Sequence, residues 1–106
     1  MVNKNYNRGR QFEYRVKKDL ENKGYLVVRS AGSKSPFDLI GISSPSNADV
    51  VLLVQCKYGA KISKKERDKL RELDNKTPYS TFIIIAWAKP NKPITYCDSY
   101  NKVVTW

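Results

Sequence analysis

The chain has 106 residues, with 20 lysines and arginines against 10 acids, a net charge of +10 and no histidine. That length suits one domain, 1–106, which buries roughly 65% of its unfolded surface and needs no disulfide to hold a core. With no imidazole, and only Cys56 and Cys97 as thiols, zinc fingers, zinc hydrolases and Ser-His-Asp triads are excluded, while the charge favours polyanionic partners through counterion release.

Residues 1–9 are polar and basic and read as a loose N-terminal arm. From Arg10 to Lys23 the apolar residues Phe12, Val16 and Leu20 recur every fourth position, which predicts an amphipathic helix with Glu13 on the margin of its buried stripe. As a residue type alone, Glu13 is equally a first-turn acid favoured by the helix dipole. Asn22-Lys23-Gly24 predicts a glycine exit, and Tyr25 to Arg29 a first strand. Ser30 to Ser35 is a Ser/Gly/Lys turn whose hydroxyls and amides suit a phosphate, or form a plain polar hairpin loop.

Phe37 to Ile42 predicts a second strand, Ser43 to Ala48 a polar loop, and Val50 to Lys57 a third strand. This third strand is apolar at both parities, the pattern of a central strand covered on both sides. Cys56 within it reads as a small apolar residue, and a bridge to Cys97 stays open. Ser63 followed by Glu66 is a capping box opening a second helix to about Lys76. Its alternating charges describe a salt-bridged, largely solvated surface, with Leu70 and Leu73 facing in. Thr81 to Ala88 is another buried strand, followed by short strands over Ile94 to Cys97 and Val103 to Trp106. No apolar run approaches the roughly 18 residues of a membrane span, and no signal-peptide core follows the basic start. The expected setting is the cytoplasm, with nucleoid or viral DNA.

The third strand ends oddly: Gln55 and Lys57 break an apolar run that needs neither. Strand side chains alternate with period two, so both point to one face, where a hairpin partner can bring Asp38. Together they read as a metal and phosphate site. The pair Pro36-Phe37-Asp38 and Gln55-Cys56-Lys57 resembles the PD-(D/E)XK nuclease signature. With Arg8-Gly9-x-x-Phe12-Glu13, Gly24-Tyr25 and Arg29 to Lys34 in that order, the chain resembles the archaeal-type Holliday junction resolvases over about residues 8–58.

That resemblance implies an α/β fold with a restriction-endonuclease-like core, a central mixed sheet flanked by helices in the order α-β-β-β-α-β. It implies a metal-dependent, structure-selective DNA endonuclease that resolves four-way junctions by paired symmetric nicks. The cofactor is then Mg2+, with Mn2+ as an alternative, and the working unit a homodimer on branched DNA. Asp38 becomes the direct metal ligand, Glu13 binds the metal or orients its water, and Lys57 holds the attacking water or offsets charge on the phosphate. The DNA-facing set is Arg8, Arg10, Arg29, Ser33, Lys34, Lys61, Lys64 and Lys65. Two departures stand out. Gln55 replaces the usual acid, keeping an amide oxygen for the metal but no charge, and Tyr14 stands where an arginine often follows the glutamate. Other readings of the same residues are a restriction-like or repair endonuclease, and a catalytically impaired DNA-binding protein. The aromatic C-terminal half, Phe82 to Trp87 with Tyr96, Tyr100 and Trp106, is the expected dimer surface or ordinary core.

Overall fold

The spacing of Phe12, Val16 and Leu20 puts three apolar side chains on one helix face, and all three are buried. Their helix, α1, spans Lys4–Asn22 in the computed structural model, which describes residues 4–30, 36–43, 50–59, 62–78, 80–100 and 102–105. It starts at Lys4, so residues 4–9 are helical where a loose arm was expected. Hydrophobic periodicity is blind to such an extension: once the buried stripe has nucleated the helix, polar Lys, Asn and Arg residues prolong it at little cost. Gly24, at φ 100°, ends the helix in the left-handed conformation that glycine adopts freely.

Five strands follow: β1 Tyr25–Arg29, β2 Leu39–Ser43, β3 Val51–Tyr58, β4 Thr81–Ala88 and β5 Thr95–Cys97, with helix α2 at Lys64–Asp74 between β3 and β4. They lie side by side in chain order, antiparallel except for β3 and β4. A parallel pair needs a crossover connection, and α2 supplies it. The result is the predicted mixed sheet flanked by helices. The last predicted strand shrinks to a bridge between Cys97 and Val103, with the Val104 amide donating to the Tyr96 carbonyl at 2.8 Å.

Alternation along β3 divides the core. Leu52 and Val54 join Phe12, Val16, Leu20, Leu39, Ile84 and Ala86 under α1, while Leu53 packs with Leu70, Ile83 and Ile85 under α2. The strand is therefore covered on both faces, as its two-sided apolar pattern predicts. The Tyr96 hydroxyl donates to Asp19 at 2.6 Å and ties β5 to α1. Cys56 and Cys97 are both free thiols.

Much of the expected dimer surface is core. Ile83, Ile84, Ile85, Ala86 and Tyr96 are buried, leaving Phe82 and Tyr100 exposed; Leu26, Val28 and Ile42 on β1 and β2 are exposed as well. Trp106 lies outside the described residues.

Candidate active site

β3 runs on past the point where β2 begins. Leu39 pairs with Val54, so from Gln55 to Tyr58 the strand is laddered to β4 and its other edge is open. Asp38 sits at that opening. Its amide donates to the Val54 carbonyl at 2.8 Å, and its Oδ2 accepts from the Cys56 amide at 2.8 Å. An edge amide that would otherwise lack a partner thus fixes the carboxylate. Burial lifts the Asp38 carboxyl above its ordinary range, the Cys56 amide pulls it back, and the charges of Glu13 and Lys57 act on it in opposite directions. Burial also pushes the Cys56 thiol up, with Asp38 and Glu13 adding to the effect; it stays protonated and behaves as an apolar residue.

Glu13 comes from α1, where its marginal place on the buried stripe turns it toward the sheet. Its Oε2 accepts from Arg29 Nε at 3.0 Å, a pair whose side chains are only 26% and 20% exposed. The Glu13 hydrogen bond is the main reason the Arg29 guanidinium holds its proton more tightly than usual. Arg29 also lies 5.5 Å from the centre of the Tyr14 ring, which Arg10 approaches at 5.8 Å. Arg10 donates to the Tyr14 hydroxyl at 3.5 Å, and lowers the phenol's pKa chiefly through that bond. Tyr14, in place of an arginine, thus organises two arginines beside the acid.

Gln55 and Lys57 share a face, as their spacing predicts, and both meet a residue that the sequence assigns to the helix cap and to a salt-bridged helix surface. Glu66 Oε2 lies 2.8 Å from Lys57 Nζ and 3.4 Å from Gln55 Nε2. Ser63 Oγ accepts from the Glu66 amide at 3.2 Å and donates to Glu66 Oε1 at 3.0 Å, so the capping residue is also pinned at the end of β3. Lys57 is the chief reason the Glu66 carboxyl falls below its ordinary range. The only signal for this in the sequence was Glu66's nearness to Lys57 across a short loop, and the capping box absorbed it.

Among the described residues, no three acidic or cysteine side chains stand together at metal-holding distance. The oxygens on offer are the Asp38 and Glu13 carboxylates and the Gln55 amide oxygen. Gln55 Oε1 is buried without a hydrogen-bond partner among the described residues. A buried acceptor left unpaired costs roughly 1–3 kcal/mol, and a hard divalent cation, which takes oxygen ligands, would relieve it. The donors present are of the type such an ion takes: Glu13 from the α1 side, Gln55 at the parity of Leu53, which packs on the α2 side, and Asp38 at the open edge, where the charges of both Glu13 and Lys57 act on it.

Of the DNA-facing candidates, Ser33, Lys34 and Lys61 lie outside the described residues. Arg8 is exposed and lines a small hollow of about 140 Å³ with Gln11, Phe12, Arg15 and Tyr58. Lys64 and Lys65 are exposed in the first turn of α2. Positive charge at a helix N-terminus opposes the dipole by a few tenths of a kcal/mol. Neither lysine has an ion-pair partner among the described residues to offset that.

A sequence model described as archaeal Holliday junction resolvase (hjc) matches residues 4–93. The crossover junction endodeoxyribonuclease Hjc of Methanocaldococcus jannaschii is 39% identical over 69 residues, covering 61% of this chain and 48% of that protein. The chain thus spans about half the length of this curated relative. Among solved structures, Hjc of Archaeoglobus fulgidus, a Holliday junction resolvase, matches with a TM-score of 0.65 at 18% identity, over 88% of this chain and 74% of that one. At that identity the likeness speaks for the fold.

Proposed function

The chain belongs to the archaeal Holliday junction resolvase (hjc) family, and we propose that it is a metal-dependent endonuclease resolving four-way DNA junctions by paired symmetric nicks. The observation that carries this reading is the setting of Asp38, a half-buried carboxylate held by a backbone amide where the charges of Glu13 and Lys57 both reach it. A core acid with no structural need for its charge is a functional candidate on physical grounds.

Asp38 and Gln55 Oε1 would hold a Mg2+ or Mn2+ ion from the sheet, and Glu13 from α1. Such an ion, when bound, acidifies water and offsets charge on the phosphate. The remaining steps belong to the chain. Arg29 holds Glu13 in place through the 3.0 Å contact of its Nε with Oε2. The Lys57 ammonium donates to the scissile phosphate or to the attacking water, and the charge it contributes is strongest in a site that excludes solvent. Arg8, Lys64 and Lys65 supply exposed charge for the flanking phosphates. Gly9 adds support from the other side: among the described residues, a Cβ there would meet nothing within 4 Å. Packing does not ask for glycine at a helical position where it costs about 1 kcal/mol, but close approach of a DNA backbone does.

A four-way junction has two symmetry-related scissile phosphates, and one small domain carries one site, so the working unit is a twofold dimer. The test is incubation of the purified protein with a synthetic four-way junction and with plain duplex, each with magnesium and with chelator. Symmetric nicks in the junction alone, abolished by chelator, are the expected result. Equal cutting of both substrates would make it a restriction-like or repair enzyme, and retention of DNA without cutting would make it a binding protein; either result overturns the proposal.

A further inference from the structure

The site has a charge problem. The carboxylates of Glu13 and Asp38 face the cations Arg29 and Lys57, with Arg10 beside Arg29 at the Tyr14 ring, so these groups offer no excess of negative charge to draw in a divalent ion. Gln55 does not help, since an amide brings no charge. The carboxylate that alters this balance is Glu66, whose Oε2 touches Lys57 at 2.8 Å and the Gln55 amide nitrogen at 3.4 Å.

We propose that Glu66 is a positioning residue that takes over from the acid missing at position 55, bringing the site a third carboxylate and turning the Gln55 amide oxygen toward the cation. The proposal rests on the nuclease reading and deepens it. Three observations support it. The amide is oriented by its contact with Glu66: Nε2 points at the carboxylate, which leaves Oε1 as the buried end without a partner among the described residues. The carboxylate is itself held, through the Ser63 hydroxyl on Oε1 and through a helix anchored by Leu70, which is 1% exposed. Finally, Glu66 Oε2 pairs with Lys57 Nζ at 2.8 Å, a contact that a phosphate bound by that ammonium would replace, leaving the carboxylate's charge to the site.

Manganese binding to the metal-free protein, measured calorimetrically without DNA, tests this independently of cleavage. Glu66→Gln keeps the capping geometry, since glutamine serves equally in a capping box, yet removes the charge and presents a mixed amide to Gln55. Its manganese affinity is expected to fall about tenfold, the lower end of losses seen when groups supporting metal ligands are removed. Adding Gln55→Glu to that variant is expected to restore binding, because the acid then stands on β3 itself. Wild-type affinity in Glu66→Gln, or no recovery in the double variant, overturns the role of Glu66; a merely structural ion pair would lower the melting temperature and leave affinity unchanged. Asp38→Asn separates the two levels. If it binds manganese as tightly as wild type, the nuclease site itself is misread, whereas loss in Asp38→Asn with none in Glu66→Gln refutes only the inference about Glu66.

Discussion

Asp38 is the side chain on which opposing demands meet. Its pKa is raised from 3.8, mainly by burial, so the fold is most comfortable with the acid protonated. The stability associated with that form is complete below the unfolded value and is lost as pH rises through the folded one. At neutral pH the protein therefore bears an ionised group that the fold disfavours, as expected of a residue kept for chemistry. Asp38→Asn keeps an acceptor for the Cys56 amide and removes the charge. It is expected to melt higher than wild type in chelator at neutral pH, with the gain vanishing in acid, while cleavage is lost and junction binding is retained; calorimetry and a nicking assay read the two effects. Gln55→Glu alone is expected to give unchanged or higher cleavage at low magnesium, measured by titrating the ion. The amide was visible in the sequence as a departure from an acidic pattern. Its partner was not, because the residue that orients it sits on another element.

At the scale of elements, α1 and α2 each combine a packing role with a carboxylate placed at the candidate site. Phe12, Val16 and Leu20 seat α1 in the core, and the same seating delivers Glu13 to the sheet and leaves the space beside the Gly9 Cα open among the described residues. Gly9→Ala is expected to stabilise the helix by about 0.5–1 kcal/mol in denaturant unfolding and at the same time to weaken junction binding in a gel-shift titration. Those opposite signs distinguish a DNA-facing glycine from an idle one. The bond from Tyr96 to Asp19 at 2.6 Å ties β5 to α1. Burial and then Asp19 raise the phenol's pKa, so the hydroxyl keeps donating at any ordinary pH. Tyr96→Phe is expected to lower stability by about 2 kcal/mol, the order of a hydrogen bond to a charged acceptor, without changing cleavage.

For the whole molecule, a net charge of +10 means that the proposed binding to DNA would be set largely by counterion release. Replacing Lys64 and Lys65 together by alanine is expected to weaken junction binding and to reduce the slope of log affinity against log salt by about 2, as measured over a salt series. The dimer that the junction's symmetry calls for is checked by sedimentation at micromolar concentration, where a monomer would refute it. Its contact surface was poorly legible. The apolar C-terminal half divides into buried core and the exposed Phe82 and Tyr100, and the exposed Leu26, Val28 and Ile42 add a second apolar surface on β1 and β2. Composition tells an apolar residue from a polar one but not which apolar residue the topology leaves uncovered.

Whatever is local was determined by the sequence itself: the charge, the helix stripe, the glycine exit at Gly24, the two-sided pattern of β3, the cap at Ser63, and the order of Asp38, Gln55 and Lys57 along the chain. Each is a matter of residue type and short-range spacing, and backbone geometry converts spacing directly into a face or a turn. Tertiary structure alone decided that Arg29 holds Glu13, that Tyr14 lies between two arginines, and that Glu66 meets both Gln55 and Lys57. Such pairings join separate elements, and where two elements meet depends on how the sheet and both helices bury their apolar faces together, which no single stretch of chain encodes.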